Sequence, residues 1–214
     1  MEKPLFTFGY STADRDRITA LLHDAGVRYV VDVRTAPGSR RNPDVSRQRL
    51  AEWLPHAGID YRWEPALGGF RRPPPDSPDT VWRNVSFRGY AAHTRSPEFV
   101  TAVDRLLADA ARVRTAVMCS EAVWWRCHRR LIADFAVVAR DTPVRHLLPG
   151  GRVGAHVPTA GVRLRADGLL VYDVYDGLAG AISEREPRPG VLPDWLGVRC
   201  GSRGNDREPG PADA

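Results

Sequence analysis

The sequence has 214 residues, of which 43% are apolar and 27% charged, a composition typical of a globular protein with one sizeable core. No stretch reaches the roughly 20 apolar residues that a membrane span needs, and the first residues lack the apolar core of a signal peptide. We therefore expect a cytoplasmic protein with no membrane partner. Three cysteines are too few for a secreted disulfide framework, which leaves free thiols, metal ligands or catalytic groups.

The formal net charge of +5 suggests a nucleic-acid partner, because basic patches neutralise phosphates. Lys3 is the only lysine among the 31 basic residues, and alanine, glycine and proline are also abundant. That skew is equally typical of a GC-rich genome. Charge alone therefore leaves nucleic acid as an open alternative beside an arginine-decorated surface.

Taken in chain order, short β-branched or aromatic runs alternate with longer amphipathic segments. Strands are predicted over 5–9, 28–33, 59–63, 115–118 and 144–148, and helices over 13–25, 46–57 and 96–112. The pattern of Leu131, Ile132, Phe135 and Val138 predicts a further helix that runs through about residue 140. Ser11 or Thr12 is expected to cap the first helix. The pattern predicts one three-layer α/β domain over residues 1–182, with a mostly parallel central sheet and flanking helices.

Two other segments complete the predicted organisation. Residues 64–95 contain three consecutive prolines and no secure regular element, which is typical of a functional or disordered loop. The Asp167-Gly168 pair between apolar runs predicts a C-terminal hairpin at the edge of the sheet. Residues 183–214, rich in proline, glycine and charge, are predicted to be a disordered tail.

Ligands of open α/β sheets bind beyond the carboxyl ends of the strands, and these positions are polar here. The first strand is followed by Tyr10 and Ser11, and the second by Arg34, Ser39 and Arg40. We expect these groups to face one crevice and to bind substrate. The structural alternatives are a helix cap at Ser11, an ion pair between Asp32 and Arg34, and a solvated loop at Ser39 and Arg40.

The segment from Cys119 to Arg130 carries the most chemistry. Within it lie the predicted catalytic residues, namely Cys119, Glu121, Cys127 and His128, together with Arg129 as an anion ligand. A helix start and nearby arginines favour negative charge, which lowers the pKa of a thiol or binds an anion. The alternative is that both cysteines are buried packing residues.

Three chemistries compete for this segment. A rhodanese or phosphatase loop needs an arginine after the cysteine, but Arg126 lies seven positions after Cys119, one residue too far. A metal site formed by Cys119, Cys127 and His128 is a weak alternative, since the spacing matches no usual zinc motif and neighbouring residues of a helix point about 100° apart. A disulfide between the two cysteines would make a redox switch.

Other residues give weaker indications. His156 follows the fifth strand and can serve as an acid or base over the same crevice. Gly68 and Gly69 are expected to bring backbone close to a ligand, and Tyr90 to cover it, although the glycines can also serve only a turn.

The motifs FGYST (8–12), VDVR (31–34), LGG (67–69), FRGY (87–90), MCSE (118–121) and CHR (127–129) occur in this order. Together they resemble the domain of unknown function 488 family, also called YeaO-like, over about residues 5–172. The resemblance implies a cytosolic α/β fold with a site at the motif residues, and it implies no reaction. The chain departs from the family pattern at Trp124-Trp125, where a proline is expected, and in its arginine-rich tail.

The leading hypothesis is a cysteine-dependent enzyme acting on a small anionic or nucleotide-like substrate, with Cys119 as the first candidate nucleophile and Cys127 as the second. Glu121 or His128 would transfer protons. The predicted substrate-binding residues are Tyr10, Ser11, Arg34, Ser39, Arg40, Gly68, Gly69, Tyr90 and Arg129. The alternatives are a nucleic-acid-binding or base-processing protein and a redox-responsive binding protein. The sequence identifies no cofactor and no oligomeric state.

Overall fold

Short runs rich in β-branched and aromatic residues form a six-stranded sheet in the computed structural model, which describes residues 3–39 and 42–173. The strands are β1 Leu5–Gly9, β2 Tyr29–Asp32, β3 Asp60–Trp63, β4 Thr115–Cys119, β5 Val144–Leu147 and β6 Val153–Ala155. Their order is β3-β2-β4-β1-β5-β6, and all are parallel except β6, which runs antiparallel to β5. The predicted mostly parallel sheet is confirmed.

Helices cover both faces of this sheet. They are α1 Arg15–Asp24, α2 Arg47–His56, α3 Val85–His93, α4 Pro97–Arg112 and α5 Arg129–Asp134, which continues as a π-helical turn over Phe135–Ala139. Buried residues of α1 and α2 share one apolar core with alternate residues of β1 and β4, whereas those of α3, α4 and α5 form the second core on the opposite face. The three-layer α/β architecture is thus confirmed.

Most helix boundaries follow the predicted signals. The Ser96 side chain accepts a hydrogen bond from the Phe99 amide at 3.2 Å and caps α4, whose start agrees with the predicted bounds of 96–112. The cap of α1 is Asp14, which accepts from the Arg17 amide, so the predicted cap at Ser11 or Thr12 is wrong. Ser11 instead adopts a positive φ of 48° in the turn that follows β1.

The expectation that residues 64–95 contain no regular element is wrong for α3. The Asn84 side chain caps this helix, but its buried side is made of Gly89, Tyr90, Ala91 and His93, a set without an apolar stripe. A Cβ at Gly89 would lie 2.0 Å from the Arg71 carbonyl oxygen, so the chain crosses the helix at a point where only glycine fits. That tertiary contact leaves no periodic signal in the sequence.

The predicted C-terminal hairpin is present as β7 Val162–Leu164 and β8 Leu170–Tyr172. It forms a separate two-stranded sheet, and the edge of the main sheet is occupied by β6. Sequence patterning missed β6 because its Val-Gly-Ala sequence contains no run of β-branched or aromatic residues. No helix within the described residues is both long and apolar enough to cross a membrane. The predicted tail at 183–214 lies outside the described residues.

Candidate thiolate site

The loops that follow β1 and β4 are the natural place for a ligand crevice, but they are hydrogen-bonded to each other. The Tyr10 amide donates to the Cys119 carbonyl at 3.1 Å, and the Ser11 amide donates to the Ser120 carbonyl at 2.9 Å. Tyr10 packs in the core beside α1 and α2, whereas Cys119 packs in the core beside α3, α4 and α5. The expectation of one crevice shared by these residues is therefore wrong.

Arg34 forms a buried structural network and has little left to offer a substrate. Its guanidinium donates to both carboxylate oxygens of Asp32, at 2.8 and 2.6 Å, and to Tyr10 Oη at 3.0 Å and the Val45 carbonyl at 2.8 Å. Burial opposes its charge, but the hydrogen bond and charge of Asp32 outweigh that effect and raise the pKa of Arg34. The predicted substrate-binding roles of Arg34 and Tyr10 are corrected to a structural one.

Two other predicted ligands lie in separate clefts. Ser11 lines a cleft of about 540 Å³ together with Arg17 and Gly150. Ser39 lines a broader one of about 780 Å³ beside Trp63, and its hydroxyl accepts from the Asn42 amide at 3.0 Å. Neither cleft is lined by a cysteine. Arg40 lies outside the described residues.

Cys119, Cys127 and His128 do come together, and their sulfur and ring nitrogen atoms all lie within 4.8 Å of one another. Cys119 ends β4, and Cys127 follows a 3-10 turn over Trp124–Arg126 with extended backbone, at φ −125° and ψ 148°. Cys127 thus precedes α5, and helical geometry does not splay it away from His128. That argument against convergence, which assumed a shared helix, is wrong.

Both cysteines are free thiols and almost fully buried, at 6% exposure for Cys119 and 5% for Cys127. The pKa of Cys127 is lowered to about 6, chiefly by a hydrogen bond from the Cys119 thiol. Burial acts in the opposite direction, and the charge and hydrogen bonds of Arg129 lower the pKa further. The hydrogen bond between the two cysteines, followed by burial, raises the pKa of Cys119 to about 12. These opposite directions, together with the contact of Arg129 Nε with Cys127 Sγ, favour a negative charge on Cys127 rather than on Cys119.

Arg129 is the cation that faces this charge. It is 1% exposed, and its Nε donates to Cys127 Sγ at 3.4 Å. Its other nitrogens donate to Thr7 Oγ1 at 3.4 Å and to the Glu121 carbonyl oxygen. Among residues 3–39 and 42–173, no carboxylate pairs with this guanidinium. Arg129 was predicted to bind substrate, but its burial directs it to the thiolate.

Gly9 makes room for this arrangement at the end of β1. A Cβ there would lie 1.8 Å from the Glu121 carbonyl oxygen and 2.7 Å from Arg129 Nη2. Only glycine permits the carbonyl and the guanidinium to meet over the strand. Gly9 stands in the FGYST motif without having been identified as a site residue.

His128 is oriented by the backbone of β2. Its Nε2 donates to the Val33 carbonyl at 3.0 Å, which leaves Nδ1 without a proton in the neutral ring, 3.7 Å from Cys127 Sγ. A Cβ at Gly69 would lie 3.1 Å from that Nδ1, so the glycine lets the chain pass over the ring. A Cβ at Gly68 would lie 2.8 Å from Thr35 Oγ1. The backbone at Gly69 thus approaches the ring of His128, and the predicted approach of the two glycines to a ligand stays a prediction.

Tyr90 packs beside His128, with ring centroids 5.0 Å apart, and donates its hydroxyl to the Leu67 carbonyl at 2.7 Å. Burial, and then the charge of Cys127, raise the pKa of this phenol well above its ordinary value. Tyr90 is 1% exposed, so it forms a wall of the site and holds the 67–69 turn.

Glu121 takes a different place from the one predicted. Its carboxylate is exposed and accepts from the Val123 amide at 3.1 Å, which stabilises its own loop. The contact with the site is made by its backbone carbonyl, which accepts from Arg129. The predicted proton-transfer role of Glu121 is therefore corrected to one of loop shape.

Arg71 is a site residue that sequence reasoning missed. This half-buried arginine donates to the Gly69 carbonyl at 3.2 Å, next to His128, and its charge counteracts the rise in the pKa of Tyr90. The described part of the chain gives it no carboxylate partner. Its position two residues after Gly69 was the only available signal. Arg71 is thus a guanidinium beside the site with donors to spare.

A buried polar chain runs from Arg129 to the far side of α5. Thr7 Oγ1 contacts His146 Nδ1 at 2.7 Å, His146 Nε2 contacts His156 Nδ1 at 3.0 Å, and His156 Nε2 contacts Asp134 Oδ1 at 2.9 Å. Trp124 stacks on His146 at 4.1 Å between centroids. His156, expected to lean over the crevice, is buried in this chain. His146 was not predicted as a site residue, because its only signal is a polar residue in a buried strand.

The three converging donors also have the chemistry of a zinc site. Cys127 Sγ, however, already receives hydrogen bonds from the Cys119 thiol and from the Arg129 backbone and side chain. These donors compensate the thiolate without a metal, and the guanidinium repels a divalent cation. The metal alternative stays a prediction and is not favoured by this electrostatic arrangement.

Comparison with known proteins gives one match. A family model described as "Domain of unknown function DUF488" covers residues 14–136, which is more than half of the chain and includes β4, both site cysteines and all of α5. No curated protein and no solved structure matches the chain significantly.

Proposed function

The chain belongs to the DUF488 family, and we propose that it is a cysteine-dependent enzyme of the cytoplasm that acts on a small anionic or nucleotide-like substrate. Cys127 is the nucleophile, and Cys119 is the thiol that stabilises it. This reverses the order in which the sequence ranked the two cysteines. The observation that carries the proposal is the contact of Arg129 Nε with Cys127 Sγ at 3.4 Å, between two almost fully buried groups.

The burial of Arg129 supports the thiolate assignment. A fully buried cation without an anionic partner is strongly unfavourable, and breaking a buried ion pair typically costs about 3–5 kcal/mol. Within the described residues, the anion beside this guanidinium is Cys127 Sγ. A thiol with a pKa of about 6 is mostly thiolate at neutral pH and hence nucleophilic.

The surroundings of Cys127 supply two further roles. Arg71, beside Gly69 and His128, has unused donors for an anionic group of the substrate. His128 Nδ1 carries a lone pair close to the nucleophile and is placed to act as a base. Both side chains are more accessible than Arg129, whose guanidinium is buried and stabilises the Cys127 thiolate.

The proposed reaction is group transfer to sulfur followed by hydrolysis. The thiolate forms a bond to an electrophilic atom of the substrate, and the leaving group departs with its electron pair. His128 then accepts a proton from water as the water oxygen bonds to that atom, which breaks the bond to sulfur and restores the thiolate. The proton on His128 passes to the leaving group, so the cycle needs water alone.

The nucleic-acid alternative has weaker support from the packing. Trp124 is stacked on His146 and Tyr90 is buried, so neither is available for base stacking, whereas Phe70 is 89% exposed. Arginines such as Arg62 and Arg95 are engaged in ion pairs with carboxylates. If nucleic acid is nevertheless the ligand, its binding must weaken steeply as salt rises.

The test compares hydrolysis of p-nitrophenyl phosphate, p-nitrophenyl sulfate and the neutral p-nitrophenyl acetate. We expect turnover of an anionic ester that Cys127→Ser abolishes, and for which Arg71→Met raises KM about tenfold with a smaller effect on kcat, because one charged contact is lost. Arg126→Met removes an exposed arginine next to Cys127. This variant is the matched control and should leave turnover unchanged. Full activity in Cys127→Ser would overturn the nucleophile, and activity on the neutral ester alone would overturn the substrate class.

A further inference from the structure

When both imidazoles are neutral, the buried chain from Arg129 to Asp134 has one arrangement of protons that satisfies every contact. The Asp134 carboxylate accepts from the Thr159 amide, the Thr159 hydroxyl and the Tyr172 hydroxyl, at 2.8, 2.7 and 3.0 Å. A carboxylate that already accepts three hydrogen bonds is an ionised acceptor, so His156 Nε2 must donate to it.

The remaining protons follow in sequence. Because His156 Nε2 carries the proton of the neutral ring, its Nδ1 accepts from His146 Nε2. His146 Nδ1 then accepts from the Thr7 hydroxyl, and the Thr7 oxygen is free to accept from Arg129 Nη1. Every group thus donates in the same direction, from the arginine towards the carboxylate.

His146 stays neutral in this arrangement. Burial, followed by the nearby His156 and the positive charge of Arg129, lowers the pKa of His146 to about 3. The charged groups that face the chain are Arg129 at one end and Asp134 at the other, with Arg130 close to Asp134 through Thr159. The two charged ends are therefore joined through neutral, oriented dipoles.

On the basis of the proposed function, we propose that Thr7, His146, His156 and Asp134 form a positioning network that holds the Arg129 guanidinium against the Cys127 thiolate. Arg129 has no carboxylate of its own within residues 3–39 and 42–173, so its orientation depends on Thr7 and on the Glu121 carbonyl. The distant Asp134 carboxylate orients it through the chain, as the outer residues of metal and triad sites orient the reacting groups. Thr7 and the histidines are positioning residues and do not touch substrate.

The test removes the link nearest to Arg129 without changing the shape of the core. Thr7 is fully buried in the central strand β1, and Thr7→Val replaces its hydroxyl by a methyl group of similar size. Thr7→Ser keeps the hydroxyl. Thr115→Val is the matched control, because Thr115 is also fully buried, in β4, and its hydroxyl donates to the Val113 carbonyl away from the site.

The measurement is the rate of iodoacetamide alkylation of Cys127 in the full chain as a function of pH, resolved from the other cysteines by peptide mass spectrometry. We expect Thr7→Val to raise the midpoint by about one pH unit, which makes Cys127 about fivefold less reactive at pH 6. Thr7→Ser and Thr115→Val should keep the wild-type midpoint, whatever their stability. A purely structural role for Thr7 would lower stability and leave the midpoint in place.

The outcomes separate this inference from the proposed function. If wild-type Cys127 titrates near 6 and Thr7→Val leaves it there, the positioning network is wrong and the proposed function stands. If wild-type Cys127 titrates near the ordinary 8.5, the proposed function itself is overturned. Should Thr7→Val not fold, His156→Asn breaks the chain further from Arg129, and a midpoint that does not rise in that variant overturns the network.

Discussion

Replacing Arg129 by methionine removes the buried cation while keeping much of the volume of its side chain. The thiolate then loses its charged partner in a site where burial favours the neutral thiol. We expect a larger protonated fraction of Cys127 at neutral pH in Arg129→Met. The lysine variant retains the charge without the planar fork that reaches Thr7 and Glu121 together, so it should recover part of the effect.

The size of the change follows from the pKa of Cys127. A value of about 6 against an ordinary value of about 8.5 corresponds to about 3 kcal/mol of preference for the thiolate. The hydrogen bond from Cys119 is the largest contribution and persists in the variant. Assigning Arg129 about a third of the total predicts a midpoint at or above about 7, and hence a several-fold loss of thiolate at pH 6.

The assay is thiolate absorbance at 240 nm during a pH titration, with Cys127→Ser subtracted to isolate the signal of this cysteine. Arg126→Met is the control, because Arg126 is exposed and lies just before Cys127. A folded Arg129→Met protein whose Cys127 still titrates near 6 would refute the ion pair as the source of thiolate stabilisation.

Two further predictions concern stability. The pKa of Cys127 is lower in the folded than in the unfolded protein, so the stabilisation by its thiolate is fully present above about pH 8.5 and is lost as pH falls towards 6. The free energy of unfolding should therefore fall by about 3 kcal/mol over this range, as measured by denaturant titration, and Cys127→Ser should remove this fall. An unchanged pH dependence in Cys127→Ser would contradict the prediction. Arg34→Met breaks the ion pair with Asp32 and should cost about 3 kcal/mol of unfolding free energy, while Cys127 keeps its midpoint, since Arg34 belongs to a separate network. A shift of the Cys127 midpoint in that variant would show that the two networks are coupled.

The fold was largely predictable because its elements carry local signals. Buried parallel strands are continuous apolar runs, and α4 has a serine cap, a first-turn proline and a strong apolar stripe. The helix α3 had none of these beyond Asn84, since its buried side is built around Gly89 and Tyr90 and is fixed by contact with another segment. Periodicity cannot report a contact of that kind.

The location of the site was predictable, and its internal order was not. The cluster of Cys127, His128 and Arg129 in sequence indicated a site, but its chemistry depends on which face of the sheet each side chain meets. Arg34 and Tyr10 fall on the face opposite Cys119, which no spacing rule reveals. Likewise, the ranking of the cysteines depended on Arg129 Nε reaching Cys127, a contact set by the extended backbone before α5.

The central claim is that Cys127 carries the negative charge of the cysteine pair. Alkylation by iodoacetamide between pH 5 and 10, read separately on the Cys119 and Cys127 peptides, tests it directly. We predict that Cys127 reacts with a midpoint near 6 and that Cys119 stays unreactive over most of this range, because its pKa is about 12. A profile in which Cys119 reacts first, or in which both thiols titrate near 8.5, would contradict the account.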